Sequence, residues 1–260
     1  QLDGRIIDRA VKWDLGVNFS LNRSKVLVLS EDKDIFGGEL DNTILKDQLN
    51  LMRVGEPMYV FYGYVEDGYD ENGHIVYKNM DDDPAITAAD KTIIGDPNPD
   101  FLVNLTTAVS YKGFTLSAFF QSSIGNDIYS LSMAAQAYDY GYNGNTLREV
   151  YYNHWTPENP TAKYPNLDQT SYKMSDRFVY DGSFVRLKNL ELAYDVPCAR
   201  SKFIKRARVY VSAQNLFTIT SYPFWDPDIN ANGGGSSMIQ GVDSYCYPSA
   251  RTYTIGCRLT

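Results

Sequence analysis

The chain has 260 residues, of which 43% are hydrophobic and 22% are charged, and this composition is typical of a folded protein. A formal net charge of −8 argues against a nucleic-acid partner, because phosphate binding needs a basic surface. Three cysteines are too few for a disulfide scaffold, and two histidines argue against a histidine-based metal centre.

No stretch approaches the roughly 18 apolar residues of a membrane-spanning helix, and the longest clean apolar run is Val26–Leu29. The chain begins at Gln1 without the charged-then-apolar pattern of a signal peptide, and the missing initiator Met suggests a processed product, a fragment or a partial chain. This argument does not exclude a membrane β-barrel, because the sequence signal of a barrel is alternation along each strand and not bulk hydropathy.

The first predicted strand covers residues 14–22. Leu15, Val17 and Phe19 alternate there with small or polar residues, as expected for a strand with one apolar and one polar face. Residues 23–100 then form the first long connection.

That connection contains a segment with the spacing of an EF-hand calcium loop. Oxygen donors occupy positions 1, 3, 5, 9 and 12 of the segment, and they belong to Asn79, Asp81, Asp83, Thr87 and Asp90. Pro84 stands where such loops have glycine, so the alternative interpretation is a solvated acidic turn. Calcium is the one cofactor that the sequence suggests, and none is required.

The clearest pattern is a hairpin with strands at 101–111 and 114–122, joined by a two-residue turn at Lys112 and Gly113. Closing this turn places Val109 opposite Leu116 and puts the apolar faces of both strands together. A slip of one residue would destroy that match. Each strand has about the length that crosses a bilayer when tilted, although a soluble β-sandwich hairpin alternates in the same way.

The second long connection, residues 123–183, predicts short helices at 127–140 and 146–155. It is rich in aromatic residues, among them Tyr152 and Trp155. Such rings could stack on a sugar or face a covering partner, whereas the plainer interpretation is that most of them pack the loop or form an interfacial girdle.

Three further strands are predicted at 184–194, 208–217 and 251–260. The first of these changes phase, and a β-bulge near Lys188 and Asn189 would restore a single apolar face. The third long connection, residues 218–250, holds the aromatic residues Tyr222 and Trp225 and a flexible glycine run at 232–237.

The connections between the six predicted strands alternate between long and short, which is the pattern of outer-membrane barrels with long outside loops and short periplasmic turns. We therefore predict an all-β fold, a transmembrane antiparallel β-barrel wall, with the C-terminus on the periplasmic side. Its polar face is predicted to line the lumen with Asn104, Thr106, Ser110, Ser117, Gln121, Thr254 and Arg258.

Catalytic motifs are missing from the sequence. It has no zinc-binding HExxH, no nucleophile elbow of the form Gly-x-Ser-x-Gly and no CxxC pair. We predict that the chain is not an enzyme. The rival hypothesis is a soluble, secreted, β-rich module that binds or cleaves carbohydrates.

Several motifs resemble the C-terminal region of TonB-dependent outer-membrane transporters of the SusC/RagA type. They occur in order along almost the whole chain, and they are Val54–Pro57, Phe61–Tyr64, Ile94–Phe101, Tyr111–Phe114, Gly125–Tyr129, Trp155–Pro160, Asp181–Leu190, Val211–Phe217 and Tyr247–Tyr253. The segment 79–90 lies where that family has an acidic turn containing glycine, from which Pro84 departs.

The resemblance implies a barrel of about 22 strands with a plugged lumen in the outer membrane of a Gram-negative cell. It implies import of oligosaccharides or peptides, energised through TonB and assisted by a SusD-like surface lipoprotein. The plug domain and the TonB-contacting segment are expected to lie N-terminal to this chain, so residues 1–260 would be one C-terminal barrel segment.

Overall fold

In the computed structural model, which describes residues 1–41, 45–138, 145–198, 204–229 and 238–260, the main sheet has seven antiparallel strands. Each strand pairs with its neighbours along the chain, so the topology is a continuous meander. The strands are β1 (Leu2–Asp8), β2 (Val11–Ser20), β3 (Phe101–Tyr111), β4 (Phe114–Ile124), β5 (Phe184–Val196), β6 (Ala207–Thr220) and β7 (Thr252–Leu259).

The predicted hairpin is confirmed residue by residue. β3 and β4 pair without a register break from Phe101 opposite Ile124 to Tyr111 opposite Phe114. In the turn, φ is 48° at Lys112 and 86° at Gly113. Positive φ at both central residues matches a type I′ turn, whose twist agrees with that of the flanking strands.

The predicted bulge in β5 is also confirmed. Leu187 pairs with Phe120 of β4, and Asn189 pairs with Phe119, which leaves Lys188 between two successive pairs. The register against β6 shifts at the same place. The extra residue puts Leu187 on the same face as the apolar positions that follow the bulge.

The strand bounds differ from the predicted ones mainly at the start of the chain. The sequence prediction missed β1, whose alternation is broken by a register shift between Arg5 and Ile7 against β2. β2 begins at Val11 and ends at Ser20, three and two residues before its predicted bounds of 14–22. β3 has its predicted bounds of 101–111, and the other four strands differ from their predicted bounds by one to three residues at an end.

All three long connections leave and re-enter the sheet at one end, because the meander is antiparallel. The short turns lie at the opposite end. The long connections contain short strands, which are Ile35–Phe36, Glu39–Asp41, Lys46–Gln48, Asn50–Met52, Val60–Gly63, Glu66–Tyr69, Ile75–Tyr77, Thr92–Gly95, Asp127–Ser130, Val179–Asp181 and Val242–Asp243.

The described part of the chain has two α-helices, α1 (Leu131–Tyr138) and α2 (Arg148–Tyr152), and 3₁₀ turns at Ser30–Asp32, Ala88–Asp90 and Asp176–Phe178. The predicted start of α1 at residue 127 is wrong, because Asp127–Ser130 is a strand held between Val179–Asp181 and Val242–Asp243. The predicted end of that helix and the glycine run at 232–237 lie outside the described residues. Within those described ranges, no helix is both long enough and apolar enough to cross a membrane.

The long connections share one hydrophobic core. Phe61 comes from the first connection and Tyr129 and Phe178 from the second, and each of these side chains is at most 2% exposed. Ile239 and Val242 of the third connection belong to the same cluster. We call this packed unit, built from the three long connections, the loop body.

Candidate functional site

One face of the main sheet carries an apolar row that crosses all seven strands of the described chain. The paired positions in this row are Ile7, Trp13, Val109, Leu116, Leu192, Val211 and Ile255. Leu116 is 47% exposed and Ile255 is 87% exposed. A contiguous apolar surface of this kind marks contact with a membrane or with another apolar layer.

Aromatic pairs flank the apolar rows. Phe19 and Phe101 lie at the loop end with ring centroids 5.8 Å apart, and Phe114 and Tyr194 lie at the turn end, 4.5 Å apart. From Phe101 to Tyr111 the strand rises about 33 Å, or about 25 Å after a tilt of about 40°. That height agrees with the apolar band of outer-membrane barrels, which is about 25 Å tall and has aromatic girdles at both edges.

The opposite face is polar. All seven residues predicted to face the lumen lie on it, as the register of β3, β4 and β7 shows. One row consists of Asn18, Asn104, Gln121, Arg186 and Thr218. The sheet therefore has the two unlike faces that the alternation predicts, whereas lining of a lumen by the polar face stays a prediction.

Arg186 connects this polar face to the loop body, and the sequence analysis did not identify it. Its side chain is 1% exposed and forms an ion pair with Asp226 of the third connection. It also donates to Thr218 Oγ1 at 2.9 Å and to Ser249 Oγ at 3.0 Å. The only sequence signal was a basic residue in the polar phase of β5.

Asp226 is held by more than its ion pair. The backbone N–H groups of Ser249 and Asp228 donate to its two oxygens at 2.8 and 2.9 Å. Burial alone would raise the pKa of Asp226, but these donors and the Arg186 guanidinium outweigh it and hold the pKa below its usual value. The carboxylate therefore stays charged and keeps the third connection on the sheet.

The predicted loop aromatics separate into two groups. Tyr152 is 75% exposed and Trp225 is 56% exposed, so both rings can be reached from solvent. The Trp155 ring packs on Gly73, where an added Cβ would lie 2.2 Å from it. Contact of these rings with a substrate or a covering partner stays a prediction.

Tyr222 requires a correction, because it is 4% exposed and faces the interior of the loop body. Its hydroxyl donates to Asp243 Oδ2 at 2.6 Å and lies 2.8 Å from Ser130 Oγ. Burial raises the pKa of Tyr222, so the hydroxyl keeps its proton. This ring stabilises the loop body and is not available to a ligand.

The oxygens of the calcium-like segment mostly bind the backbone of the same loop. Asn79, Asp81 and Asp83 each accept a backbone N–H from two residues ahead, at 2.8 to 3.1 Å. Asp90 accepts from Met80 and Thr87, each at 2.7 Å. The Thr87 hydroxyl accepts from the N–H of Ala89 at 3.2 Å.

Across the described ranges no group of three or more His, Cys, Asp or Glu side chains could hold a metal ion. Backbone hydrogen bonds lower the pKa of Asp90, and the bond from the Met80 N–H has the largest effect. Calcium binding in this segment stays a prediction.

Comparison with known proteins gives no matching family model. The chain is 31% identical to TonB-dependent receptor P3 of Formosa agariphila, over 98% of the chain and 27% of that protein. It is 27% identical to TonB-dependent receptor SusC of Bacteroides thetaiotaomicron, over 98% of the chain and 25% of that protein. The chain thus spans about a quarter of the length of these relatives.

Solved structures show the same fold. The structure of the RagAB peptide transporter matches 99% of this chain and 28% of its own, with a TM-score of 0.78 and 25% identity. The RagAB peptide importer in the closed-closed state matches with a TM-score of 0.79 and 24% identity.

The fold and its two faces define a class of protein, the wall and loops of a transmembrane β-barrel. Within that class, the chain is a homologue of the TonB-dependent receptors of the SusC/RagA type. This family belongs to the Gram-negative outer membrane and consists of receptors and transporters, not enzymes. The resemblance seen in the sequence is thereby confirmed.

Removing one partner of the buried ion pair should detach the third connection. We expect Arg186→Met to cost about 3–5 kcal/mol, because it leaves the Asp226 carboxylate buried without its cation. The double variant with Asp226→Asn should lose less, since the amide is neutral and keeps an oxygen for the backbone donors. Urea unfolding of the complete protein measures both, and equal losses in the two variants would contradict this account.

The Arg186–Asp226 ion pair also predicts that the stability of the third connection depends on pH. Because the pKa of Asp226 is lowered in the folded state, its stabilising effect is present above the ordinary carboxyl pKa of about 4 and is lost as pH falls through the lowered value. Protease cleavage within residues 218–250 should therefore accelerate below about pH 4 in the wild type. Asp226→Asn should already be cleaved faster at neutral pH and should lack this acid-induced step.

Asp90 should hold its segment folded without an ion. Asp90→Ala removes the acceptor of two backbone donors and should loosen the segment, whereas Asp82→Ala, at an exposed neighbour, should change little. Cleavage within residues 79–90 by an added protease measures the difference. Calcium that slows wild-type cleavage, but not cleavage of an Asp81→Ala, Asp83→Ala double variant, would instead confirm the calcium hypothesis.

Proposed function

We propose that this chain forms part of the wall and the extracellular loops of an outer-membrane nutrient importer energised through TonB. The observation that carries the proposal is the apolar row from Ile7 to Ile255, which crosses seven strands and is exposed at every position but the half-buried Trp13. Lipid acyl chains can cover such a face, while the polar face opposite it meets the hydrated lumen. Import then consists of binding and gating without covalent chemistry.

The substrate of the proposed importer is an oligosaccharide or a peptide, taken up together with a SusD-like surface lipoprotein that covers the loop body. The SusC relative and the RagAB peptide transporter support this assignment. The exposed rings of Tyr152 and Trp225 lie on the loop body, where a partner or substrate would approach.

The orientation follows from the positions of the connections. The long connections meet at one end of the sheet, and β7 runs from that end toward the short turns. In outer-membrane barrels the short turns face the periplasm. We therefore assign the loop body to the cell exterior and Thr260 to the periplasmic side.

The rival hypothesis, a soluble module for carbohydrates, needs a protein layer over the apolar face. The loop body does not supply it, because Val109, Leu116 and Val211 remain 38% to 47% exposed in its presence. A soluble protein with this face open would aggregate in plain buffer, whereas the importer should need detergent.

Adjacent residues on opposite faces of β4 test the membrane assignment. We expect Leu116→Arg to reduce assembly into the outer membrane, because it places a charge on the lipid face, just inside the aromatic girdle at Phe114. Ser117→Arg makes the same change on the polar face, near Glu191, and should assemble at wild-type levels. Heat-modifiable migration of the complete protein in outer-membrane fractions measures assembly, and equal behaviour of the two variants would contradict the proposal.

Growth on single nutrients tests the proposed function. A strain lacking the gene should fail to grow on one purified glycan or peptide mixture as carbon source, and a plasmid copy should restore growth. Inactivation of TonB should produce the same defect on that nutrient. The absence of any nutrient that depends on the gene would overturn the importer proposal.

A further inference from the structure

The short turns of the main sheet are basic, although the chain as a whole has a formal net charge of −8. The described residues of these turns include the bases Arg9, Lys112, Lys205 and Arg206, and they include no Asp or Glu. All four bases are exposed. Acidic residues outnumber basic ones by more than two to one in the long connections at the other end of the sheet. The turn end therefore attracts anions.

A recess of about 470 Å³ opens at the turn end, where β5, β6 and β7 lie side by side. Its lining includes four bases, Lys205, Arg206, Arg208 and Arg258, and one acid, Asp195. Arg258 pairs directly with Arg208 in the register of β6 and β7. Like charges placed opposite each other are unfavourable, and an anion beside them relieves the repulsion.

The acids near the recess are engaged by one of its bases. Arg208 lies 3.4 Å from Asp195 Oδ2 and 3.5 Å from Glu191 Oε1. The other three bases, Lys205, Arg206 and Arg258, are exposed and form no ion pair with any described residue. Positive charge therefore remains for a ligand, whereas no unpaired carboxylate lines the described recess to attract an ammonium group.

The recess borders the apolar face of the sheet, since Val196 and Ala207 of that face also line it. On that face an apolar groove of about 510 Å³ crosses the same three strands, and its lining includes Phe114, Tyr194, Val209 and Cys257. Val209 follows Arg206 by three residues, so the bases lie about 10 Å along β6 from the groove. This arrangement matches an amphiphile with an anionic head and hydrocarbon tails.

We propose that the turn end of β5, β6 and β7 binds one anionic phospholipid. Its phosphate lies at Lys205 and Arg206, with Arg258 adding to the positive potential, and an acyl chain lies in the groove at Val209. This inference rests on the proposed function, in which the apolar face meets lipid and the short turns face the periplasm.

The charges of the recess distinguish among phospholipid headgroups. Phosphatidylglycerol has a net negative charge, and each base near the surface strengthens its binding. Phosphatidylethanolamine has the same phosphate but also an ammonium group, which the unpaired bases repel. The site therefore selects the anionic lipid, while the groove accepts the acyl chains of either.

The test uses the complete protein, purified in a neutral detergent and freed of lipid. Native mass spectrometry measures the affinity for phosphatidylglycerol and for phosphatidylethanolamine with the same acyl chains. The first variant combines Lys205→Gln with Arg206→Gln. The matched control combines Arg23→Gln with Lys25→Gln, which removes the same charge from exposed positions at the loop end. A third variant, Val209→Trp, fills the groove and leaves every charge in place.

We expect the wild type and the matched control to bind phosphatidylglycerol about tenfold more tightly than phosphatidylethanolamine. The Lys205, Arg206 variant should lose this preference. Val209→Trp should weaken the binding of phosphatidylglycerol, since its acyl chain loses the groove. Inorganic phosphate at the concentration of the lipid should leave binding unchanged, because it has no acyl chain.

Three results would overturn the lipid site. They are an equal preference in the two double variants, unchanged affinity in Val209→Trp, and displacement of the lipid by inorganic phosphate. Failure of the proposed function is distinguishable from these outcomes. In that case the complete protein would stay soluble without detergent, whereas failure of the lipid site alone leaves a protein that needs detergent.

Discussion

The register of β3 against β4 is the constraint on which the rest of the structure depends. Eleven residue pairs run unbroken from the loop end to the Lys112–Gly113 turn, and each pair joins residues of the same face. A shift of one residue would turn every apolar side chain of one strand toward the polar face. The apolar rows that continue into β2 and β5 keep their alignment only because this hairpin is fixed.

The main sheet and the loop body differ in where their apolar side chains lie. The sheet leaves residues such as Leu116 and Ile255 exposed, whereas the loop body buries Phe61, Tyr129 and Phe178 in a core of its own. A water-facing unit must bury its apolar side chains, and a lipid-facing surface must present them. Because both kinds of surface occur in one chain, we infer that lipid and water meet at the loop end of the sheet.

Much of the sheet could be predicted, because its signal is local. Alternation along the chain and the Lys112–Gly113 turn determine the hairpin, and the break in phase at Lys188 reveals the bulge. β1 escaped prediction because charged side chains and the register shift near Arg5 interrupt its alternation. The loop body was less predictable, since Asp127–Ser130 becomes a strand only through partners 50 or more residues away in the chain.

The residues of the candidate site show the same limit, because local sequence predicts the face on which a residue lies but not its distant partners. The polar phase of β3 and β4 identifies Asn104 and Gln121 from sequence alone. Nothing local indicates that Arg186 meets Asp226, 40 residues later, or that the Tyr222 ring turns inward to Asp243. A buried guanidinium is stable only where every donor finds an acceptor, so the third connection must fold against β5 and β6 for the site to exist. The bonded network around Arg186 is thus a product of the loop body as much as of the sheet.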